Sequence, residues 1–251
     1  MIRFFRDIKN HKAFHFAIFL IIIVIILFFL GVIVLRYNVE GETNMPFVLT
    51  KISVVSQSEG ADIESQGTRW AFDVNENNDI YIYIDKNPDY DKQELIKSVK
   101  IDSINIEKKP NLGETNFYRT DLDEENVIFK NEDANKADTF EYVAEEETDL
   151  KNMEISNQGG IIAFRYNISK IAEYTSDETE INHTELLKKA NVSIEDLKSI
   201  ISFNLTIILE SGKEFQTTIT LDLPIDTVVN EGVASIEYTD MSEFVFKRIQ
   251  N

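Results

Sequence analysis

Two short segments carry oxygen-bearing side chains at alternate positions, a spacing that a calcium-binding loop can use. These residues are Asp73, Asn75, Asn77 and Asp79 in the first segment, and Asp85, Asn87, Asp89 and Asp91 in the second. Neither segment has the sixth-position Gly or twelfth-position Glu of a helix–loop–helix calcium site, and Asn and Asp are also the ordinary residues of β-turns. Solvated turns are therefore the favoured interpretation, calcium is the alternative, and no other cofactor is expected.

The motifs of common catalytic sites are missing. The chain contains no SxxK, GxSxG, HExxH, GxxxxGK[ST] or GxGxxG motif, so the usual serine hydrolases, zinc proteases and nucleotide-binding enzymes are not indicated. It also has no cysteine, which excludes disulfides, thiol catalysis and Cys-based zinc sites. His183 is the single histidine after residue 36. We interpret it as a surface residue that flanks a predicted helix, rather than a catalytic base or a zinc ligand.

Two further groups of residues have a functional and a structural interpretation. Tyr81 and Tyr83 share one face of a predicted strand, and with Trp70 they would make an aromatic platform for a sugar or peptide; packing within a sandwich is the favoured alternative. The stretch 119–150 holds twelve acidic residues. We favour a solvated excursion between strands there, and the alternative is a docking surface for a basic partner or divalent cations.

An apolar run precedes all of these residues. Phe16 to Leu35 is 20 residues long without a charged or hydrogen-bonding side chain, and a helix of that length measures roughly 30 Å, the thickness of a bilayer's hydrocarbon core. No small-residue cleavage site follows it, so an uncleaved signal anchor is favoured over a signal peptide. We expect a transmembrane helix at 13–36 in contact with the lipid bilayer, preceded by a short cytoplasmic tail at 1–12.

Charge sets the expected orientation. The chain has 25 Lys and Arg against 44 Asp and Glu, a net charge of -19, but four of the basic residues lie within residues 1–12. Positive charge on that side predicts a cytoplasmic N-terminus and an extracytoplasmic domain after the single-pass helix. The acidity of that domain argues against nucleic-acid binding. An exported domain without Cys and a composition rich in Ile and Asn favour a bacterial cell membrane.

The exported part has the pattern of an antiparallel β-sandwich. After a juxtamembrane linker at 37–46, the residues 47–251 contain short β-branched and aromatic runs separated by turn residues. One composite domain is favoured over two packed β units that divide near 157–160. The expected strands are Val48–Ser56, Arg69–Val74, Asp79–Asp85, Val99–Glu107, Val127–Asn131, Thr139–Ala144, Ile161–Ser169, Ser202–Glu210, Glu214–Leu223 and Phe244–Ile249.

Several connections can be predicted in more detail. Alternating apolar residues pair Phe203 with Ile219 and Ile207 with Phe215 in a hairpin whose loop contains Gly212. A second hairpin is expected to turn through residues 75–78. A phase change in the alternation predicts a bulge near Asp102 and Ser103. The short connecting helices are expected at Thr184–Ala190 and at Glu195–Ile200 after an N-cap at Ser193, with a further helical turn at Lys92–Ser98.

These features predict a mainly β, membrane-anchored extracytoplasmic protein. The function expected first is a non-enzymatic binding or envelope-assembly module with an envelope protein as its partner. The alternative is a membrane-tethered enzyme that acts on cell-wall or surface glycans through a pair of carboxylates, which would face one pocket and have shifted pKa values. The residues specify neither the ligand nor an oligomeric state.

Overall fold

The computed structural model describes residues 18–32, 45–66, 69–120, 128–146, 155–178 and 180–249. Two compact units, Met1–Gly41 and Glu42–Asn251, account for the chain. In the first unit, helix α1 covers residues 18–32, and all its side chains are exposed except the partly exposed Ile23. Within the described ranges, no helix is both long enough and apolar enough to cross a membrane. The rest of the expected span at 13–36 lies outside the described residues.

The second unit is mainly β, as predicted, and its described residues form ten strands. The strands are β1 Phe47–Gln66, β2 Arg69–Lys86, β3 Ile96–Lys108, β4 Glu114–Arg119, β5 Phe140–Val143, β6 Gly160–Ser176, β7 Ile200–Leu209, β8 Glu214–Asp222, β9 Val233–Tyr238 and β10 Lys247–Ile249. Sheet A has the order β4-β6-β2-β1-β9 and sheet B the order β10-β8-β7-β3-β5. All pairings within the two sheets are antiparallel. Each sheet combines strands from both sides of residues 157–160. Sheet A joins β1, β2 and β4 to the later strands β6 and β9, and sheet B joins β3 and β5 to the later strands β7, β8 and β10.

The two sheets pack face to face. Phe164 of sheet A contacts two rings of sheet B, Phe203 at 5.2 Å and Phe140 at 5.4 Å between ring centroids. The Tyr142 hydroxyl of β5 donates a hydrogen bond of 2.7 Å to the Ala163 carbonyl of β6. Alternate residues of both sheets enter this core because successive side chains of a strand point to opposite faces.

Short helical segments complete the unit. The helices after α1 are α2 Leu186–Lys189, α3 Ile194–Leu197 and α4 Ile225–Glu231, with 3₁₀ turns at Asp133–Asn135 and His183–Glu185. The two predicted helical connections are thus present in shorter form. Ser193 occupies the N-cap position of α3 without a capping side-chain hydrogen bond.

The segments 183–197 and 225–232, which together we call the helical cap, cover part of the inner face of sheet A. Leu186 of α2 lies so close to Gly60 of β1 that a Cβ atom on Gly60 would come within 2.7 Å of it. At the end of the cap, Gly232 has φ +79° and follows α4, and a Cβ atom there would lie 1.9 Å from the Thr184 carbonyl oxygen. Glycine is therefore required at Gly232, whereas a larger residue at Gly60 would have to displace the Leu186 side chain.

The predicted turn at 75–78 is wrong. Residues 69–86 form the single strand β2, which pairs along its whole length with β1, so that Ser56 lies opposite Asn78 and Glu59 opposite Asn75. The two strands contain 20 and 18 residues, and at about 3.3 Å per residue the longer one measures roughly 60 Å. Asn-rich sequence normally favours turns, but here neighbouring strands satisfy its amides.

The C-terminal hairpin and the bulge are confirmed. Phe203 pairs with Ile219 and Ile207 with Phe215, and Gly212 adopts φ +78° in the connecting loop. Ser103 has φ +53° at the point where the pairing of β3 with β7 shifts register. Both predictions rested on the parity of apolar residues, which the faces of a sheet enforce directly.

Other boundaries differ from the predictions. Residues 92–95 are not helical and β3 begins at Ile96, so the helical turn expected at Lys92–Ser98 is wrong. Residues 128–131 form no strand, although Val127–Asn131 was expected to be one. Strands β4 and β9 and helix α4 were not predicted. β4 and β9 are the edge strands of sheet A, and short edge strands carry a weak alternation signal.

Candidate functional site

The first calcium-candidate segment lies in the middle of sheet A and is buried there. Because β2 is extended, its odd-numbered residues point to the outer face of sheet A and its even-numbered residues to the inner face. Asn75, Asn77 and Asn78 are each no more than 8% exposed, and Glu76 between them is fully buried. The segment therefore forms a polar belt across the sheet, and its oxygens are divided between two faces.

On the outer face, Asp79 forms a buried ion pair with Arg165 of the adjacent strand β6. The guanidinium donates two hydrogen bonds to the carboxylate, from Nε at 2.6 Å and from Nη2 at 3.0 Å. The side chains are only 9% (Arg165) and 13% (Asp79) exposed. Burial raises the pKa of the Asp79 carboxyl, and the hydrogen bonds and charge of Arg165 oppose that rise. Such a bidentate pair fixes the orientation of both groups.

Asparagine side chains extend this outer network. Asn77 Nδ2 donates to Glu59 at 2.7 Å, and Asn77 Oδ1 accepts from Asn167 and from Asn131, each at 2.9 Å. Asn131 Oδ1 in turn accepts from Arg165 Nη1 at 3.0 Å. The network links β1, β2 and β6 to the segment 128–137, which we call the strap.

The strap covers the part of the outer face of sheet A that contains Tyr81 and Arg165. Phe129 is buried, meets Tyr81 edge-on at 6.4 Å and lies under the Arg165 guanidinium at 4.9 Å. The strap is also bonded to the edge of sheet A, since the Ala137 amide donates to the Phe117 carbonyl of β4. Of the described residues in the acidic stretch 119–150, those of the strap contact the polar belt. Residues 121–127 and 147–154 of that stretch lie outside the described residues.

Asn75 has a separate structural task. The pairing of β2 with β6 shifts register between Val74 and Glu76, and Lys170 of β6 adopts φ +54° at this bulge. Asn75 Oδ1 accepts a hydrogen bond of 2.9 Å from the Lys170 amide. Bulges leave a backbone donor without a ladder partner, and here the Asn75 side chain supplies the acceptor.

The inner face of the belt contains an unpaired acid. Glu76 is fully buried, and neither of its carboxyl oxygens has a hydrogen-bond partner among the described residues. Burial raises the pKa of Glu76 to about 8, and the nearby Asn78 side chain, whose Nδ2 donates to the Tyr166 carbonyl instead, offsets that rise only in part. Glu76 is therefore predominantly protonated at neutral pH, since a buried carboxylate without a cation is strongly disfavoured.

The second calcium-candidate segment begins at the end of β2 and forms a turn. Asn87 is buried, and its side chain donates to the Met45 carbonyl at 2.8 Å and accepts from the Asp89 amide at 3.0 Å. Thr50 donates to Asp85 at 3.1 Å, whereas Asp89 and Asp91 are exposed. Asn87 thus shapes the turn, as expected for Asn in such positions.

The oxygens of the first segment are divided between two faces of sheet A, and in the second segment the Asn87 side chain bonds to the backbone of Met45 and Asp89. In the described part of the chain, no three His, Cys, Asp or Glu residues form a group that could hold a metal ion. The loop prediction is wrong for 73–79, because these groups bind one another across strands. Calcium stays a prediction that this geometry does not support.

A polar cleft lies at the end of the second unit where β2 terminates. Its volume is about 490 Å³, and its lining includes Lys86, Gln93, Glu94, Gln158 and Glu210. Burial raises the pKa of Glu94, but hydrogen bonds from Lys213 and Ser211 and the charge of Lys213 outweigh burial and lower that pKa overall. Glu94 is therefore ionised at neutral pH and is not suited to be the proton donor that a glycosidase needs.

The aromatic platform is not formed. Trp70 stacks on Phe72 at 6.2 Å, whereas Tyr81 contacts the strap and the Tyr83 ring lies 4.5 Å from Lys51 Nζ. Trp70 and the two tyrosines are on one strand, at even and odd positions respectively, and so they face opposite sides of sheet A. Packing, the interpretation favoured from the sequence, describes Tyr81.

His183 is exposed, as expected for a residue that flanks a helix. Its Nδ1 accepts a hydrogen bond of 3.1 Å from the Gly60 amide, and its ring meets Phe72 edge-on at 5.5 Å. Within the described ranges, no serine hydroxyl bonds to its ring; the Ser58 hydroxyl donates to its backbone carbonyl. Its contacts attach the helical cap to β1.

Sequence reasoning missed the residues that matter most in this belt. Arg165 and Asn167 belong to β6 and lie about 90 residues from their partners, so no local pattern connects them. Glu76 did carry a signal, because it shares the parity of the apolar residues Val74, Ile80 and Ile82. No protein-family model, curated protein or solved structure significantly matches this chain.

Proposed function

We propose that this protein is a single-pass, membrane-anchored extracytoplasmic β-sandwich that acts as a non-enzymatic binding or assembly module of a bacterial envelope. The observation that carries the proposal is the helix α1, whose described residues are apolar all around and almost entirely exposed. A helix that is apolar on every face is normally covered by protein or lipid. The apolar sequence continues beyond α1 to Phe16 and Leu35, and the bilayer is the proposed environment.

The chemistry of the second unit favours binding over catalysis. Among the described residues, the carboxyls whose pKa values are raised are Glu76 and Asp79. They lie on opposite faces of β2, so they cannot act on one substrate. The buried ion pair and amides of the outer face bind each other and make the sheet rigid. A rigid sandwich at the end of an anchor is suited to presenting a surface to an envelope protein.

Membrane insertion can be tested with the full chain in bacterial cells. The wild-type protein should stay in the membrane fraction after alkaline extraction, and external protease should digest the sandwich while an N-terminal tag stays protected. The double variant Ile25→Arg/Leu27→Arg should be released, because each central Arg costs about 2.5–3.5 kcal/mol in a bilayer. The matched control Ile25→Val/Leu27→Ile should behave as wild type. Extraction of the wild type at alkaline pH would contradict the proposal.

The binding role needs its own test. Cross-linking in intact cells, followed by purification through the tag, should recover the same envelope protein from repeated cultures. Recovery should survive Asp85→Asn and be lost when the strands beyond residue 46 are deleted. A sandwich that releases sugar from purified cell walls, with activity lost in Glu94→Gln and Glu210→Gln, would instead favour the enzyme alternative.

A further inference from the structure

Glu76 lies on the inner face of sheet A, between the part of this face that packs on sheet B and the part that the helical cap covers. Toward one end of β2, this face packs on sheet B, as the contact of Phe164 with Phe203 illustrates. Toward the other end, it is covered by the helical cap, where Leu186 lies against Gly60 and Phe72. Between them, the Tyr166 hydroxyl bonds at 3.4 Å to Ser199, which links α3 to β7. The unpaired acid is thus at a junction rather than deep within one layer.

The helical cap is fastened to β1 directly beside this acid. Ser58 is the residue of β1 that pairs with Glu76. Its amide donates to the Gly232 carbonyl at 2.8 Å, and its hydroxyl donates to the His183 carbonyl at 2.8 Å. Two residues further on, the Gly60 amide donates to His183 Nδ1. These three bonds join the two ends of the cap to one short piece of strand.

The polar groups around Glu76 have other partners. The Ser56 hydroxyl donates to Asn78 Oδ1, and Asn78 Nδ2 donates to the Tyr166 carbonyl. Within the part of the chain that the structure describes, both oxygens of Glu76 are left without a hydrogen bond. An ionised carboxylate in this position would require water to reach it. Of the two elements that cover this face, the helical cap can move away with fewer broken strand pairings than sheet B.

The charged groups nearby do not offset a negative charge on Glu76. The phenol of Tyr166 on β6 lies close enough for a charge on Glu76 to raise the pKa of that phenol, and it supplies no positive charge. On the cap, His183 is engaged with Gly60 through Nδ1. The charged residues of the cap helices are Lys188 and Lys189 of α2, Glu195 and Asp196 of α3, and Asp226 and Glu231 of α4. Of these, Lys188, Glu195, Asp226 and Glu231 are exposed, and Lys189 is paired with Glu178 and Glu185.

We propose that Glu76 is a proton-controlled latch: the helical cap stays closed on β1 while Glu76 carries its proton, and loss of that proton favours an open cap. The direction follows from linkage. With the cap closed the pKa is raised to about 8, and with the cap open water restores it toward the ordinary value of about 4.3. Between these values, opening releases one proton and becomes more favourable as pH rises.

Amide hydrogen exchange of the full chain in detergent micelles tests this latch. In the wild type, the protection factor of peptides that contain Ser58 and Gly60 should fall about tenfold per pH unit between roughly pH 5 and pH 7.5, because one proton is released on opening. Protection of the β7–β8 hairpin should change much less. In Glu76→Gln, which cannot ionise, the protection of both regions should be independent of pH.

The control is Glu59→Gln, which removes an exposed carboxylate from the opposite face of the same pair of strands. It should keep the wild-type slope. Constant protection of the wild-type cap across this range would overturn the proposal, and so would an equal slope in Glu76→Gln. A parallel loss in the β7–β8 hairpin would also overturn it, because opening would then be global. The wild-type slope alone decides the matter should Glu76→Gln fail to fold.

Discussion

The two faces of β2 treat a buried carboxyl in opposite ways. On the outer face, Asp79 receives two hydrogen bonds from Arg165 and stays beside a network of amides. Three residues earlier on the inner face, Glu76 is more deeply buried, and no cation or hydrogen-bond donor among the described residues pairs with its oxygens. Asp79 is therefore stabilised by its ion pair with Arg165, whereas Glu76 is stable in its buried position only when it is protonated.

Burial alone therefore does not define a role for an acidic residue. Desolvation raises the pKa of both carboxyls, but the nearby guanidinium makes a charged Asp79 tolerable within the fold. Removing the cation that pairs with Asp79 should therefore lower the free energy of unfolding. Removing the ionisable group of Glu76 should raise it. The following predictions test that opposition.

The largest effect is expected from Arg165→Met. It leaves Asp79 buried without its cation, and breaking a buried pair in this way costs about 3–5 kcal/mol in the free energy of unfolding. Urea denaturation of the full chain in detergent measures the loss. The double variant Asp79→Asn/Arg165→Met should recover much of it, because no unpaired charge stays behind. Equal losses in the single and double variants would show that the ion pair is not what Arg165 contributes.

Glu76→Gln should have the opposite sign. The wild-type pKa rises from about 4.3 unfolded to about 8 folded, so the stability contributed by the proton is complete below the lower value and is lost as pH rises toward the upper one. At pH 7 the substitution should gain roughly 3 kcal/mol relative to its effect at pH 4, since each pKa unit corresponds to about 1.4 kcal/mol. Denaturation at several pH values measures this gain, and a pH-independent difference between the two proteins would contradict it.

Asn75→Ala should have an intermediate effect. The substitution removes the acceptor of the Lys170 amide at the bulge of β6, and an unsatisfied buried donor costs about 1–3 kcal/mol. Thermal unfolding measures the loss. Asn116→Ala is the control, because its longer bond of 3.3 Å to Ser169 joins two side chains rather than holding the backbone of the bulge. A loss in the control as large as that of Asn75→Ala would remove the special role of the bulge.

The smallest effect is expected at the Glu94–Lys213 ion pair, near the surface. Glu94→Gln should cost about 1 kcal/mol at neutral pH, the upper end for pairs with access to solvent, because the Lys213 side chain is 30% exposed although that of Glu94 is only 12% exposed. Its pH dependence should run against that of Glu76: the pKa of Glu94 is lowered in the folded protein, so its contribution is present above the unfolded value and is lost as pH falls. Stability measured from pH 3 to 6 in wild type and variant checks the sign, and a contribution that grows on acidification would refute it.

The sequence predicts those parts of the fold whose information is local. In the β7–β8 hairpin, the alternation of Phe203, Leu205 and Ile207 and the three-residue loop determine the register without help from other elements. The bulge at Ser103 follows from a similar change of parity. These features need only the rule that successive side chains of a strand alternate.

The candidate site could not be predicted in the same way. Asn75, Asn77 and Asn78 favour a turn when considered alone, and their strand conformation depends on distant partners in β6, in β1 and in the strap. Tertiary contacts override local preference at such positions. The even-numbered position of Glu76 places it with the apolar residues of the strand. The predicted turn at 75–78 divided that strand in two, so the pattern was not recognised.

The unbroken length of β1 has a mechanical consequence. Tension transmitted along the chain from the N-terminal side would enter the sandwich at Phe47 and act along the axis of β1, which is bonded to β2 on one side and to β9 on the other. Hydrogen bonds between antiparallel strands run perpendicular to that axis, so they would be sheared together instead of parting one at a time. By contrast, β10 holds the edge of sheet B through only three residues, and a pull on the C-terminal side would peel it away first.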